Sequence, residues 1–290
     1  MSESTELHIA LAFDERFWAP AYATMRSICL TTYRRKDLRF HLCHPSLRDE
    51  SLRTLEDIPA EFGSVLIHHV LDGDAEYQHF AATLPHTKYI SAVAYARLLL
   101  GRLVDPRVER VVYLDCDFLM RAPVEQLLAE DLKGRPMGGV REPHRIVFSN
   151  GRDVKHNRDL LDPADPYFNS GLMVIDLTAW RGMDMAATLH RLQQQDILPR
   201  LTHDQQILNY IFRNNWTEID PSWNTLGLYQ AIEMMEPKGV HYAGLDKPWN
   251  LLGFAPFRRG YRHVMTNAVF YRYMRERWRR RLRGWIGLKD

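Results

Sequence analysis

Short apolar segments alternate with amphipathic segments over the first 70 residues, and this order constrains the fold more than any other feature of the chain. The apolar segments have the length and β-branched character of buried strands, and the segments between them repeat apolar residues at helical spacing. Strand-helix-strand units favour parallel strands joined by right-handed crossovers. Strands are predicted at residues 7–13, 39–44 and 64–70, and helices at 20–33 and from Ser46 or Asp49 to about Phe62.

The alternation becomes less regular in the remainder of the chain. The fold class predicted is therefore α/β, with a mixed central sheet in one domain over residues 1–257 and a basic, amphipathic helical extension over residues 258–290. Further helices are predicted at 91–102, 184–195, 203–213 and 265–286, and further strands at 111–115, 137–140, 171–176 and 239–242.

The composition predicts a cytoplasmic protein. Hydrophobic residues make up 46% and charged residues 26% of the 290 residues, which is ordinary for a globular protein. No apolar run is long enough to cross a bilayer, and residues 1–6 lack the hydrophobic core of a secretion signal. The three cysteines are far apart and lie in or beside apolar runs, which suits reduced thiols.

Two carboxylates, Asp115 and Asp117, end the apolar run that begins at Val111. Residues i and i+2 of a strand point to the same face, so the two side chains would repel each other unless a cation lies between them. Oxygen ligands of this kind suit a hard divalent ion, which often carries substrate phosphates in its remaining positions. The alternative is a pair of solvated turn aspartates, because Asp-x-Asp is a short and common pattern.

A second polar group follows the predicted strand at 239–242. His241 could complete a metal site with the two aspartates, and Mn²⁺ accepts such a mixture of oxygen and imidazole ligands. Gly244 permits close backbone approach to a ligand, and Lys247 suits a phosphate. The chain has neither a P-loop nor a Gly-x-Gly-x-x-Gly fingerprint, so a phosphate-bearing ligand would need a metal and side-chain cations. The alternative for His241 is a structural histidine.

A third polar pair, Asp204 and Gln205, begins a predicted helix. A first-turn acid is favoured by the helix dipole, so Asp204 is explained without a function. This explanation is compatible with a role in an active site.

Taken together, these segments resemble glycosyltransferase family 8, whose members are retaining enzymes with a GT-A fold that use nucleotide sugars. The nearest resemblance is to bacterial lipopolysaccharide galactosyl- and glucosyltransferases, and it spans about Leu7 to Trp249. The motifs that carry it are Ala12-Phe13-Asp14, Tyr95-Ala96-Arg97-Leu98, Tyr113-Leu114-Asp115-Cys116-Asp117, Phe168-Asn169-Ser170-Gly171, Asp204-Gln205, and His241-Tyr242-x-Gly244-x-x-Lys247-Pro248-Trp249. The chain departs from the family at Arg16, where relatives often have Asn, and at Asn250, where His is common.

The resemblance implies a role for each matching residue. Asp115, Asp117 and His241 would hold Mn²⁺ (or Mg²⁺), and Gly244 and Lys247 would grip the diphosphate of a UDP-sugar. Gln205 would lie beside the anomeric carbon, with Asp204 as the other catalytic candidate. The remaining nucleotide-sugar contacts would be Ala12, Asp14 and Phe17 at the uracil, Cys116 between the two metal ligands, and Arg97, Asn169, Ser170 and Asp204 at the sugar.

The implied activity is metal-dependent transfer of a hexose, glucose or galactose, from UDP to a hydroxyl of a glycan or glycolipid acceptor such as lipopolysaccharide. Retention could arise by double displacement through Asp204 or by same-face attack with a UDP oxygen as base, and the chemistry favours the second because Gln205 is a poor nucleophile. Two other functions stay open: a catalytically silent nucleotide-sugar-binding protein, and a membrane- or nucleic-acid-interaction protein that uses the α/β body as a scaffold.

The carboxyl-terminal 33 residues have a composition of their own. Residues 258–290 carry eleven basic and two acidic side chains, a net charge of +9 in a chain whose total is +2. Aromatic and aliphatic residues recur at three- and four-residue steps from Phe270 to Ile286, with arginines between them. This pattern predicts peripheral attachment to the anionic inner face of a membrane; the alternatives are a helix packed on the domain and, less favoured, nucleic-acid binding.

Overall fold

A computed structural model describes residues 6–85, 91–150, 155, 157–227 and 230–285. The strands in this part of the chain are β1 (Leu7–Ala12), β2 (Leu38–His44), β3 (Val65–Val70), β4 (Arg110–Leu114), β5 (Phe118–Met120), β6 (Met137–Arg141), β7 (Phe168–Asp176), β8 (Thr217–Glu218), β9 (Thr225–Leu226) and β10 (Gly239–His241). Ile286, at the end of the predicted tail helix, lies outside the described residues.

The helices pack around these strands. The α-helices are α1 (Trp18–Thr31), α2 (Asp49–Leu55), α3 (Asp57–Phe62), α4 (Ala75–Thr83), α5 (Leu100–Leu103), α6 (Val124–Leu128), α7 (Arg145–Asn150), α8 (Leu177–Arg181), α9 (Met185–Gln194), α10 (Asp204–Ile211), α11 (Arg258–Met265) and α12 (Asn267–Trp285). Short 3₁₀ helices form at Arg35–Asp37, Ala92–Leu99, Leu198–Arg200, Pro221–Asn224 and Gln230–Met235.

The central sheet has seven strands in the order β3-β2-β1-β4-β7-β6-β8, and a small sheet has the order β5-β10-β9. The first four strands of the central sheet run parallel, as the strand-helix alternation predicts, whereas β7 is antiparallel to both β4 and β6. The prediction of an α/β fold with a mixed central sheet is confirmed.

Side-chain alternation along the strands divides the core between the two faces of the central sheet. On β4, Val112 and Leu114 belong to one cluster and Val111 and Tyr113 to the other. The first cluster lies under α1, α2, α3, α11 and α12, and the second under α4, α5 and α8–α10. Because both faces are covered, the inner strands read as nearly continuous apolar runs.

Two of the predicted helices are interrupted. The helix expected to end at Phe62 consists of α2 and α3, which meet at Glu56, and Pro59 falls in the first turn of α3, where its missing N–H costs little. The helix predicted from residue 265 begins at Asn267 instead, because Thr266 has a φ of 64°, and α11 precedes it as a separate element that the sequence did not predict.

The predicted extension after residue 257 is joined to the core by its first half. Met265, Phe270 and Tyr273 are buried in the core cluster that also contains Trp18. The indole Nε1 of Trp18 donates a hydrogen bond to Glu276 Oε2 at 3.0 Å. In the second half of α12, Trp278 and Leu282 are about half exposed. Packing on the core therefore explains the apolar pattern of residues 258–277. Attachment of the more distal residues to a membrane stays a prediction.

No helix in the described ranges combines the length and the apolar character needed to cross a membrane.

The packing of α12 predicts that two truncations have opposite effects. Removing residues 265–290 deletes several buried apolar side chains, each contributing on the order of 1.5–3 kcal/mol, so the total approaches the usual 5–15 kcal/mol of a folded domain. We expect this chain to unfold or aggregate. Removing only residues 278–290 should leave the thermal melting midpoint within a few degrees of the full chain, and equal melting of both truncated chains would contradict this packing.

Candidate active site

The Asp115-Cys116-Asp117 segment is a turn between β4 and β5, at the carboxyl end of the central strand β4. The turn therefore brings the two carboxylates together. The sequence analysis expected alternation along a strand to do so, and that expectation is wrong. The turn is fixed to both sheets, since the Asp115 N–H donates to the Gly171 carbonyl at 2.8 Å and the Tyr242 N–H donates to the Asp117 carbonyl at 2.9 Å.

Asp115, Asp117 and His241 form a compact group of ligand atoms. One donor atom from each side chain lies within 4.8 Å of the others. His241 Nε2 is 3.3 Å from Asp117 Oδ1 and 3.8 Å from Asp115 Oδ2. Two carboxylate oxygens and an imidazole nitrogen at this separation fit one divalent cation. The residues predicted as metal ligands are thus within reach of a single ion.

The close approach of His241 depends on the absence of a side chain at position 171. A Cβ added to Gly171 in β7 would lie 2.3 Å from His241 Cε1 and 2.9 Å from Asp115 Oδ2, which are distances that real Cβ atoms do not adopt. The imidazole is stacked on its other side against Phe118, with ring centroids 4.5 Å apart. Gly171 and Phe118 together confine the ring to the cluster.

A chain of buried polar side chains orients His241. Its Nδ1 is 3.0 Å from Asn224 Oδ1, and Asn224 Nδ2 donates to Asn169 Oδ1 at 3.0 Å. Asn169 Nδ2 in turn donates to Glu142 Oε2 at 2.7 Å. An amide oxygen only accepts, so Nδ1 carries the proton and Nε2 keeps its lone pair for a ligand. Sequence reasoning missed Asn224 and Glu142, because neither belongs to a motif that carries the family resemblance.

Arg97 is the buried cation of the site. Its Nη2 donates to Asp115 Oδ1 at 3.0 Å, its Nη1 lies 3.1 Å from Asp204 Oδ2, and the guanidinium lies over the Tyr113 ring at 4.3 Å. Burial alone would lower the pKa of Arg97, but attraction to Asp204 and Asp115 outweighs burial and raises the pKa above its usual range. Arg97 therefore stays charged and links the 3₁₀ helix at Ala92–Leu99 to the turn and to α10.

The two aspartates of the turn have different electrostatic environments. Burial raises the pKa of Asp115, and the neighbouring Asp117 carboxylate adds to this effect. Burial also disfavours the charge on Asp117, but Lys247 and His241 lower its pKa below the usual range. Lys247 Nζ donates to Asp117 Oδ2 at 2.5 Å and to the Tyr242 carbonyl at 2.6 Å. Lys247 is consequently held against the metal-ligand cluster.

Gln205, at the start of α10, is held against β7. Its Oε1 accepts a hydrogen bond from the Ser170 N–H at 3.0 Å, and the Ser170 hydroxyl lies 3.4 Å from Asp204 Oδ2. Arg97 also donates to the Ser170 carbonyl at 2.8 Å. The residues predicted to contact the sugar therefore lie next to the residues predicted to bind the metal.

The residues predicted to contact a base lie along the end of β1. Cys116 is buried, and its Sγ donates to the Ala12 carbonyl at 3.6 Å. Asp14 is engaged by Arg16, which donates to its carboxylate from the backbone at 2.8 Å and from Nη2 at 2.8 Å. Arg16, one of the two positions at which the chain departs from the family, thus directly contacts Asp14, a predicted binding residue.

Phe17 and Gly244 are the two outermost predicted residues. Phe17 is 36% exposed, and its ring meets Trp249 edge-on with the centroids 6.1 Å apart. Gly244 has a φ of 90°, which favours glycine at this position. Neither residue contacts the metal-ligand cluster through a hydrogen bond found in the described residues.

Comparison with known proteins places this site in context. The sequence profile of glycosyl transferase family 8 matches residues 8–253. General stress protein A of Bacillus subtilis (strain 168) is 24% identical over 92% of this chain and 95% of its own length. Lipopolysaccharide 1,3-galactosyltransferase of Salmonella typhimurium is 22% identical over 92% of this chain and 80% of its own length. The crystal structure of the galactosyltransferase LgtC with donor and acceptor sugar analogues superposes with a TM-score of 0.71 at 21% identity, covering 89% of this chain and 95% of that chain.

The space around His241 predicts the effect of adding one methyl group. Gly171→Ala should displace the imidazole and weaken divalent-cation affinity by at least roughly tenfold, since the orientation of a ligand typically controls affinity by 10- to 100-fold. Mn²⁺ binding followed by electron paramagnetic resonance measures this effect. Gly182→Ala is the matched control, because its Cβ would meet only ordinary contacts of 3.5 Å or more.

Unchanged Mn²⁺ affinity in a folded Gly171→Ala protein would contradict the proposed ligand set. If Gly171→Ala does not fold, Asp117→Asn preserves the side-chain volume and removes one ligand charge, and the same loss is expected.

Proposed function

The chain belongs to glycosyl transferase family 8, and we propose that it is a metal-dependent, retaining hexosyltransferase that moves glucose or galactose from a UDP-sugar to a hydroxyl of a glycan or glycolipid acceptor. The observation that supports this proposal most strongly is the cluster of Asp115, Asp117 and His241, with Lys247 on one side and Arg97 on the other. The cluster lies at the carboxyl end of β4, the edge of an open α/β sheet where ligands bind.

Asp115, Asp117 and His241 would hold Mn²⁺. The ion would neutralise negative charge on the diphosphate of UDP, which is the leaving group. Lys247 would bind the same diphosphate, exchanging its contact with Asp117 for one with a phosphate oxygen. Gly244 would allow the backbone to approach the phosphates. At the other end of the nucleotide, Phe17 would stack on the uracil between Ala12 and Asp14.

Arg97, Asp204, Asn169 and Ser170 would enclose the transferred sugar. The Arg97 and Asp204 side chains are both buried and contact each other at 3.1 Å, so the pair is held in place to position hydroxyl groups. Because Asp204 is engaged by Arg97 and by Ser170, it is poorly placed to act as a free nucleophile. This arrangement favours same-face attack by the acceptor hydroxyl, with its proton passing to the departing UDP oxygen.

We also propose that the second half of α12 attaches the enzyme to an anionic membrane at its cytoplasmic face. Trp278 and Leu282 are exposed one helical turn apart, among arginines that would each contribute on the order of 1 kcal/mol near an anionic leaflet. A chain that ends at Arg277 is expected to bind anionic vesicles more weakly than the full chain, and equal binding by the two chains would contradict the attachment.

The stereochemistry and the role of Gln205 can be tested in one transfer assay. A screen of UDP-hexoses should yield one donor that is hydrolysed or transferred only with a divalent cation, and NMR of the product should show an α-linkage formed from the α-linked donor. Gln205→Ala should lower kcat by roughly 10- to 1,000-fold with little change in UDP affinity, because the loss falls on the transition state. A β-linked product would contradict the retaining mechanism, and a variant with full kcat would remove Gln205 from the sugar site.

A further inference from the structure

Large apolar side chains are exposed in two segments that flank His241 in sequence. Seventeen such side chains are exposed among the described residues, and six of them lie within residues 234–235 and 245–254. Each of the six is 52–92% exposed. We call this surface the apolar rim, and it consists of Met234, Met235, Leu245, Leu251, Leu252 and Phe254. A concentration of exposed apolar side chains of this kind is typical of an interaction site.

The loop that carries most of the apolar rim is held in shape by its own polar groups. Asp246 Oδ2 accepts a hydrogen bond from the Phe254 N–H at 3.1 Å, and Asn250 Nδ2 donates to the Leu245 carbonyl at 3.1 Å. Arg258 Nη2 donates to the Leu251 carbonyl at 2.7 Å. Polar atoms of the loop therefore satisfy one another, while its leucines and its phenylalanine remain exposed. The apolar side chains of such a loop are removed from water only when a partner surface covers them.

Arginines border the apolar rim. Arg258, Arg259 and Arg262 line an open groove of about 900 Å³ together with Phe254. Arg259 and Arg262 also line a neighbouring groove of about 450 Å³, whose other charged or titratable side chains are Arg26 and His263. Acidic charge is present as well, since Glu233 accepts from the Phe257 N–H and Asp246 holds the loop. The surface thus combines exposed apolar groups with arginines that line both grooves.

We propose that the apolar rim and its arginines form a second membrane-docking surface, distinct from the exposed end of α12, whose partner is an anionic lipid bilayer. The apolar side chains would enter the headgroup–acyl boundary while the arginines contact lipid phosphates, which is the division of roles seen in interfacial anchors. Arg277 of α12 donates to Asn250 Oδ1 at 3.3 Å, so the loop and the helix are in direct contact.

This docking would place the active-site mouth beside the bilayer. Lys247, which donates to Asp117, and Trp249, which contacts Phe17, are part of the same loop as Leu245 and Leu252. This inference rests on the proposed transferase function. The acceptor would then be a glycan hydroxyl on a lipid-anchored molecule.

The chain provides a direct test, because its three cysteines are buried and a single introduced thiol can be labelled selectively. An environment-sensitive fluorophore attached to Leu252→Cys in the full chain should shift to the blue and brighten when phosphatidylglycerol-containing vesicles are added, and not with pure phosphatidylcholine vesicles. The matched control is Val70→Cys, at an exposed position that belongs neither to the rim nor to α12, and its label should not respond. A label at residue 252 that stays in water with vesicles present overturns the proposal.

A binding assay measures the contribution of the rim. The triple variant Leu251→Ser, Leu252→Ser, Phe254→Ser should bind anionic vesicles at least roughly tenfold more weakly, and part of this loss should persist at high salt because it is hydrophobic. Val65→Ser with Val70→Ser, which also removes exposed apolar groups, should bind like the wild type. Equal vesicle affinity of the triple variant and the control would overturn the proposal.

Hydrolysis of the soluble UDP-sugar separates this inference from the proposed function. The triple variant should hydrolyse the donor at the wild-type rate, because its changes lie outside the residues assigned to the donor. Absence of hydrolysis in the wild type would count against the transferase, whereas vesicle docking would still be measured independently.

Discussion

The site depends on the pairing of buried charges. Arg97 is almost fully buried and carries its positive charge between two carboxylates, Asp115 and Asp204, that come from different parts of the chain. Removing one partner from such a group leaves an uncompensated buried charge, which typically costs 3–5 kcal/mol. The turn after β4, the 3₁₀ helix that carries Arg97 and the start of α10 are therefore tied together by one side chain. This constraint fixes the metal-ligand cluster relative to the amino acids that are proposed to contact the transferred sugar.

Asp117 shows the same principle. Its carboxylate is balanced by Lys247 and faces His241. With a divalent cation and a diphosphate bound, the carboxylates of Asp115 and Asp117 would hold the cation, and Lys247 would contact a phosphate oxygen, without a large net change in charge. The low-dielectric surroundings strengthen both new interactions relative to water. Preorganisation of this kind supplies transition-state stabilisation with little reorganisation.

The sequence predicted the elements and the metal-ligand cluster better than the supporting contacts. Strand-helix alternation and the motif at Asp115 and Asp117 depend on local patterns, which propensity and spacing reveal. Asn224 could not be predicted because its contact with His241 is made only when β10 pairs with β9 and the preceding 3₁₀ helix is placed beside β7. The apolar stripe that begins at Phe270 predicts a membrane-facing helix, although Phe270 and Tyr273 are buried in the core cluster that contains Trp18, because amphipathic spacing does not distinguish a core face from a bilayer face.

We propose above all that the Asp115–Asp117–His241 cluster and Lys247 form the diphosphate end of a nucleotide-sugar site. Calorimetric titration of UDP into the protein, with Mn²⁺ and then with a chelator, tests this claim most directly. We expect UDP to bind with micromolar affinity in the presence of Mn²⁺, which corresponds to about −8 kcal/mol, and at least roughly 100-fold more weakly with the chelator. UMP, which lacks the second phosphate, should bind more weakly than UDP in Mn²⁺. Equal UDP affinity with and without Mn²⁺, or equal affinity for UDP and UMP, would contradict the claim.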